Sequence, residues 1–166
     1  MKVVIDANVW ISAAIRKGPS HLLVEQWMAG ADFEIVMCPE LLAEIAEVLT
    51  TRERLRRWIS LEDAEAYIEM IATLVDLVPD PSDEDLGVRD SENTYLVSLA
   101  RDNNCDFIVT GDKDLLEWEL QEPRCIAPAS FIELTETCCR SDNVVEVMGL
   151  CSNPTWGQKL NNFRVF

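Results

Sequence analysis

Residues 1 to 10 read MKVVIDANVW, and the order of residue types in that stretch decides how the rest is read. Val3-Val4-Ile5 is a continuous apolar run, the pattern of a strand buried on both faces. Asp6 stops the run, and Asn8 to Ile15 then reads as a helix that Gly18-Pro19-Ser20 breaks. A buried strand that hands an acidic residue straight to a helix is how a parallel βαβ unit begins.

The alternation continues along the chain. Phe33–Met37, Leu74–Val78, Phe107–Thr110 and Arg124–Ala127 read as further short strands. Between them lie helical stretches. Ser20 caps one whose apolar positions include Leu22, Leu23 and Trp27, and Gly30 ends it. Pro39 stands where a first-turn proline belongs, before the stripe Leu41, Leu42, Ile45, Val48 and Leu49. Ser60-Leu61-Glu62-Asp63 resembles a capping box with Asp in place of Glu, which predicts a helix from about Leu61 to Thr73. A helix is expected from about Ser91 to Asp102, and a last helical turn or two from Pro128 to Leu134. The class is α/β: a three-layer α/β/α sandwich around a central parallel sheet of about five strands. One domain is expected over residues 1–134, followed by a tail, 135–166, of unassigned role.

Composition narrows the function. The chain has 166 residues, 48% hydrophobic, so it can bury a real core. Asp and Glu number 30 against 14 Lys and Arg, a net charge of -16 whose overall field repels phosphate. A basic nucleic-acid clamp is thereby excluded, and any phosphate ligand needs a local reversal of sign. The six cysteines, Cys38, Cys105, Cys125, Cys138, Cys139 and Cys151, form no C-x-x-C pair, and His21 is the single histidine. That argues against structural zinc. The first apolar run is too short for a secretory signal, and no run approaches the ~20 residues of a membrane span. The expectation is a cytoplasmic protein with reduced thiols.

Ligands of open parallel sheets bind at the carboxyl ends of the strands. Asp6 follows the first strand, and Asp112 follows the fourth after Thr110-Gly111. If those strands are neighbours, the two carboxylates face each other and repel unless a cation lies between them. Hard oxygen donors suit Mg²⁺ or Mn²⁺. Asp90, Glu92 and Asn93 open the helix before the fourth strand, and Glu44 could reach in from the helix after the second. Asn8 and Thr110 add neutral oxygens, and Asp114 is a neighbouring acid better suited to shaping its turn. Such a site lowers the pKa of water and neutralises charge on a phosphate, which points to in-line phosphodiester hydrolysis. Each carboxylate alone has an ordinary alternative, because a strand-end Asp also caps a helix. Their coincidence at one sheet edge is what favours chemistry. Arg52, Arg54, Arg56 and Arg57 read as a solvated face or as a phosphate-binding patch, and Trp10, Trp27 and Trp58 as packing or helix-edge residues.

Four pieces in order resemble the PIN domain family, in particular its stand-alone VapC-like toxin ribonucleases: Val4-Ile5-Asp6-Ala7-Asn8-Val9, Pro39-Glu40-Leu41-Leu42-Ala43-Glu44-Ile45, Arg89-Asp90-Ser91-Glu92-Asn93-Thr94-Tyr95-Leu96 and Val109-Thr110-Gly111-Asp112-Lys113-Asp114-Leu115-Leu116. The likeness covers about residues 1–134. It implies a Mg²⁺- or Mn²⁺-dependent endoribonuclease, a cognate antitoxin protein, and a homodimer. Carried over by position, it implies catalytic Asp6, Glu44, Asn93 and Asp112, with Asp6, Asp90, Asn93 and Asp112 at the metal. Asn93 is a departure, since the family turn usually carries Asp there. An amide ligates more weakly and adds no charge, which marks a weakened natural site or an Asp-to-Asn inactivation. Arg52, Arg54, Arg56, Arg57, Arg89 and Lys113 are the candidates for contacting RNA. The alternative that Asn93 favours is a non-catalytic PIN-like module acting through a partner. A phosphatase or phospho-receiver also places Asp after a first strand, but Asp6-Ala7-Asn8-Val9-Trp10 lacks the Asp-x-Asp-x-Thr pattern.

Overall fold

The computed structural model describes residues 1–81, 94–117 and 122–141. The order of elements is β1 (Lys2–Ile5), α1 (Ala7–Ile15), α2 (Pro19–Met28), β2 (Glu34–Val36), α3 (Pro39–Thr51), a 3-10 turn (Glu53–Arg57), α4 (Leu61–Leu74), α5 (Thr94–Asp102), β3 (Phe107–Val109), α6 (Lys113–Leu116), β4 (Arg124–Ile126) and α7 (Pro128–Ser141). The strands form one parallel sheet in the order β2-β1-β3-β4. The α/β/α class expected from the alternation is therefore the observed one.

β1 and β3 are the inner strands, each with a partner on both sides. Val3, Val4 and Ile5 are fully enclosed, as an unbroken apolar run requires. Ile5 pairs with Val109 across β1 and β3, which brings the first and fourth expected strands side by side. α1 packs against α2 and α3, α3 against α4, α2 against α7, and α5 against β1 and β3. Trp10 lies in the α1 layer, edge-to-face with Trp27 at 5.8 Å and Tyr67 at 6.5 Å between ring centroids. Phe131 of α7 meets Phe33 and Phe107 in the same manner.

Local signals act where the sequence places them. The Ser60 side chain accepts from the Asp63 amide at 3.0 Å and so caps α4, while its hydroxyl donates to the Asp63 carboxylate at 2.6 Å; the carboxylate meets the hydroxyl rather than the Ser60 backbone amide of a full capping box. Gly30 has φ 89°, a left-handed conformation suited to glycine as the chain leaves α2.

Three features differ from expectation. The stretch Leu74–Val78 is not a full strand. α4 runs to Leu74, and only Leu77 bridges to Met37, with the Val78 amide donating to the Met37 carbonyl at 2.9 Å. The next rung would need an amide at Pro39, which has none and already opens α3, so the pairing stops there and the sheet has four strands among the described residues rather than about five. α7 is 14 residues long and crosses the expected boundary at 134. The turn expected at Gly111–Asp114 closes into the single helical turn α6, which drives Leu115 into the core. The expected helix start at Ser91 and most of the expected tail lie outside the described residues. No described helix is long and apolar enough to cross a membrane.

Candidate active site at the carboxyl edge of the sheet

The site is a consequence of β1–β3 register. Because Ile5 pairs with Val109, the next residues on each strand, Asp6 and Thr110, leave the sheet together. The Asp6 amide donates to the Val109 carbonyl at 3.0 Å, which extends the ladder by one bond. Asp6 is 3% exposed and Thr110 is fully buried. The Thr110 hydroxyl donates to Asp6 Oδ2 at 2.6 Å and accepts the Asp112 amide at 3.0 Å. One hydroxyl thus fixes the positions of two acidic residues that are 106 apart in sequence.

Asp6 also caps α1, with Oδ1 accepting the Asn8 amide at 3.0 Å. The capping role and the site role coexist on two different oxygens. Asp112 caps α6 in the same way, accepting the Asp114 amide at 2.9 Å. Asp114 is exposed and shapes that turn, and Lys113 is exposed beside it. Burial pushes the Asp6 carboxyl above its ordinary value, and the negative charge of Asp112 pushes it further the same way. The bonds from Thr110 and Asn8 offset part of the shift.

Glu44 is exposed on α3, and its carboxylate accepts a hydrogen bond from the Tyr95 hydroxyl of α5. Tyr95 is half-buried. Burial, the Glu44 bond and charge, and the Asp6 charge together push its phenol far above the usual range. Tyr95 therefore lies between the fields of Glu44 and Asp6 and ties α3 to the edge that carries Asp6. Nothing in the sequence pattern singles out this tyrosine; its place one residue after Thr94 in the quoted motif was the only available signal.

A cleft of about 430 Å³ opens beside these groups, lined by Asn8, Ser12, Pro19, Ser20, Asp112 and Pro128 among others. Apart from Ser12, one turn farther along α1, these residues belong to the first turns of α1, α2 and α7 and to the cap of α6. Helix starts present free amides and the positive end of the backbone dipole. α2 has Gly18 as its cap and makes no side-chain capping bond. Ser20, expected to cap this helix, lies instead within the first turn of α2 behind the Gly18 cap, and it lines the cleft wall together with Pro128.

The remaining expected residues divide into two groups. Asp90, Glu92, Asn93 and Arg89 lie outside the described residues. Arg52, Arg54 and Arg57 are exposed on the turn after α3, whereas half-buried Arg56 donates through Nη2 to the Leu49 carbonyl at the end of α3. Arg56 therefore closes the carboxyl end of that helix.

Among the described residues no group of three or more His, Cys, Asp or Glu side chains is poised for a metal. The pair present nevertheless suits a hard divalent cation. A buried carboxylate disfavoured as an anion by desolvation and by a second carboxylate is relieved on both counts by adjacent positive charge.

Residues 2–114 match the family model described as PIN domain. The chain belongs to the PIN domain family, a nuclease-type family whose members generally use divalent metals. Its fold resembles the crystal structure of PAE2754 from Pyrobaculum aerophilum, with a TM-score of 0.59 at 17% identity over 82% of this chain and 90% of that one. No curated protein matches.

Proposed function

We propose that this chain is an endoribonuclease that hydrolyses RNA phosphodiesters at the Asp6–Asp112 edge with Mg²⁺ or Mn²⁺. The observation that carries the reading is the Thr110 hydroxyl, which joins the two strand-end acids into one unit. Asp6 and Asp112 would hold the ion, together with Asp90 and the amide oxygen of Asn93. Bound there, the ion supplies positive charge to the phosphate under attack and makes water a better nucleophile. Asn8 and Thr110 orient the carboxylates and the water around them. Glu44, which accepts the Tyr95 hydroxyl, would accept a proton from the attacking water. The first turns of α1, α2 and α7 offer amides to the anionic backbone of the substrate. The leaving 3′ oxygen departs in line and takes a proton from solvent to become a hydroxyl, with no covalent enzyme intermediate.

The wider role proposed is that of the toxin in a cytoplasmic toxin–antitoxin pair, active as a homodimer. A basic, partly disordered antitoxin segment is suited to a chain of net charge -16. The decisive assay is cleavage of a labelled RNA with Mn²⁺, with EDTA, and with Asp6→Asn. Cleavage that survives both EDTA and Asp6→Asn in a clean preparation would sink the assignment. Asn93→Asp adds a charge at the position where the family turn usually has one, and is expected to raise the rate. A second reading, a PIN-like module that only binds a partner, is favoured by the neutral Asn93. It predicts tight antitoxin binding with no Mn²⁺ uptake in calorimetry.

A further inference from the structure

The segment Thr51–Ser60 reads TRERLRRWIS and holds four of the fourteen cationic residues in a chain of net charge -16. Trp58 is 58% exposed, whereas Trp10 and Trp27 are buried. Trp58 is the most exposed of the large apolar side chains among the described residues. The turn is not loose. Leu55 and Ile59 are buried on either side of Trp58, and the amides of Trp58 and Ile59 both donate to the Leu55 carbonyl, at 2.8 and 3.1 Å. Arg56 ties the same turn to the end of α3 through Leu49. Trp58 is thus held outward by a built support. The Arg57 guanidinium lies over its ring, 5.0 Å from the centroid. Arg52, Arg54 and Arg57 are exposed and make no ion pair among the described residues.

An exposed indole with a stacked guanidinium and two more free arginines is the combination by which proteins hold unpaired bases and their phosphates. The surrounding acidity sharpens the inference, since phosphate is drawn only where cations are concentrated. An acidic peptide would answer the arginines but would leave the indole without a flat partner. The place also fits. α3 carries Glu44 and ends at Thr51, seven residues on, so the turn begins about 10 Å farther along the helix axis. That span is about three nucleotides at the ~3.4 Å rise of a stacked strand.

We propose that the Arg52–Trp58 turn is a second nucleic-acid subsite, which stacks one unpaired base of single-stranded RNA on Trp58 while Arg52, Arg54 and Arg57 contact its phosphates. The proposal rests on the ribonuclease reading and names a feature of its substrate: an unpaired nucleotide a few positions from the scissile bond.

The test is binding of a fluorescent, unstructured twelve-nucleotide RNA by anisotropy in EDTA, where no cleavage occurs. Trp58→Ala is expected to weaken binding about five-fold or more, as for one base stacked on an aromatic ring, while Trp58→Phe keeps most of the affinity. Arg54→Ala together with Arg52→Ala should weaken binding and flatten its salt dependence. The same sequence as a duplex should bind with no sensitivity to Trp58. Unchanged affinity of Trp58→Ala for the single strand overturns the proposal. So does a dimer that Trp58→Ala dissociates, or a glutamate-rich peptide that binds the turn more tightly than the RNA. Because binding is read without metal, its failure leaves Asp6-dependent cleavage standing, and loss of the cleavage assignment leaves the binding result intact.

Discussion

The Thr110 hydroxyl donates to Asp6 Oδ2 at 2.6 Å, and its oxygen accepts the Asp112 amide at 3.0 Å. Thr110 is fully buried, so both bonds are made away from water. Thr110→Val keeps the shape but leaves the Asp6 oxygen and the Asp112 amide without that partner. We expect a loss of about 1–3 kcal/mol, the cost of orphaning buried polar groups. It should appear as a lower urea midpoint with an unchanged slope. Thr110→Ser should recover most of it, and a loss seen in Thr110→Ser but not in Thr110→Val would show that the methyl group, not the hydroxyl, matters.

Asp6 makes the metal-free protein sensitive to pH. Its folded value lies above the ordinary 3.8, chiefly through burial. Between those two values the folded chain holds a proton that the unfolded chain has released. Stability therefore falls as pH rises through that window and is level above it. In EDTA at pH 7, Asp6→Asn is expected to raise Tm by about 2–4 °C, the effect of ~1 kcal/mol in a chain of this size. Mn²⁺ should stabilise the unsubstituted chain and not the variant. A lower Tm for Asp6→Asn at pH 7 would mean that the capping bonds outweigh the desolvation.

Under the proposed mechanism Tyr95 acts through Glu44 rather than on substrate. Tyr95→Phe removes the hydroxyl that donates to the Glu44 carboxylate and leaves the ring in place. Bonds to charged groups contribute about 1.5–3 kcal/mol, less when the acceptor is exposed as Glu44 is, so we expect cleavage to slow roughly ten-fold. RNA affinity in EDTA should not change. The combination Tyr95→Phe with Glu44→Gln should be no slower than Glu44→Gln alone, since the two residues act as one unit.

Cys38, Cys105 and Cys125 are buried free thiols, each pushed up to about 11 mainly by burial. Only the thiolate reacts readily. Iodoacetamide at pH 8 should leave all three unmodified in the folded protein and label them once urea is added. Peptide mass mapping reads the outcome, and rapid native labelling of Cys38 would reveal an opening at the start of α3.

Much of the architecture was legible because local chemistry and global packing agree. The enclosed run Val3–Ile5, the first-turn Pro39 and the Ser60–Asp63 cap each point to the element they form. The approach of Asp6 to Asp112 followed from strand order alone. The stretch Leu74–Val78 misled because apolar composition does not report a missing donor on the partner segment, and Pro39 ends the pairing after one bridge. The length of α7 was hidden because residues 135–141, Thr-Glu-Thr-Cys-Cys-Arg-Ser, carry no apolar period. Tyr95 and Trp58 were illegible for opposite reasons. The partner of Tyr95 is distant in the chain, and the exposure of Trp58 depends on which neighbours are anchored inward.

The alignment of Ile5 with Val109 has a wider consequence for how damage to this protein will look. Sliding β3 by a single position along β1 would swap the faces of its side chains and turn Thr110 away from Asp6. The contacts that enclose Ile108 thereby act as the jig that holds the acids in line. A lesion within the oily interior of β3 can disable the proposed site while every acidic residue remains intact, so screens for loss of the proposed cleavage should gather hits there as readily as at the acids themselves.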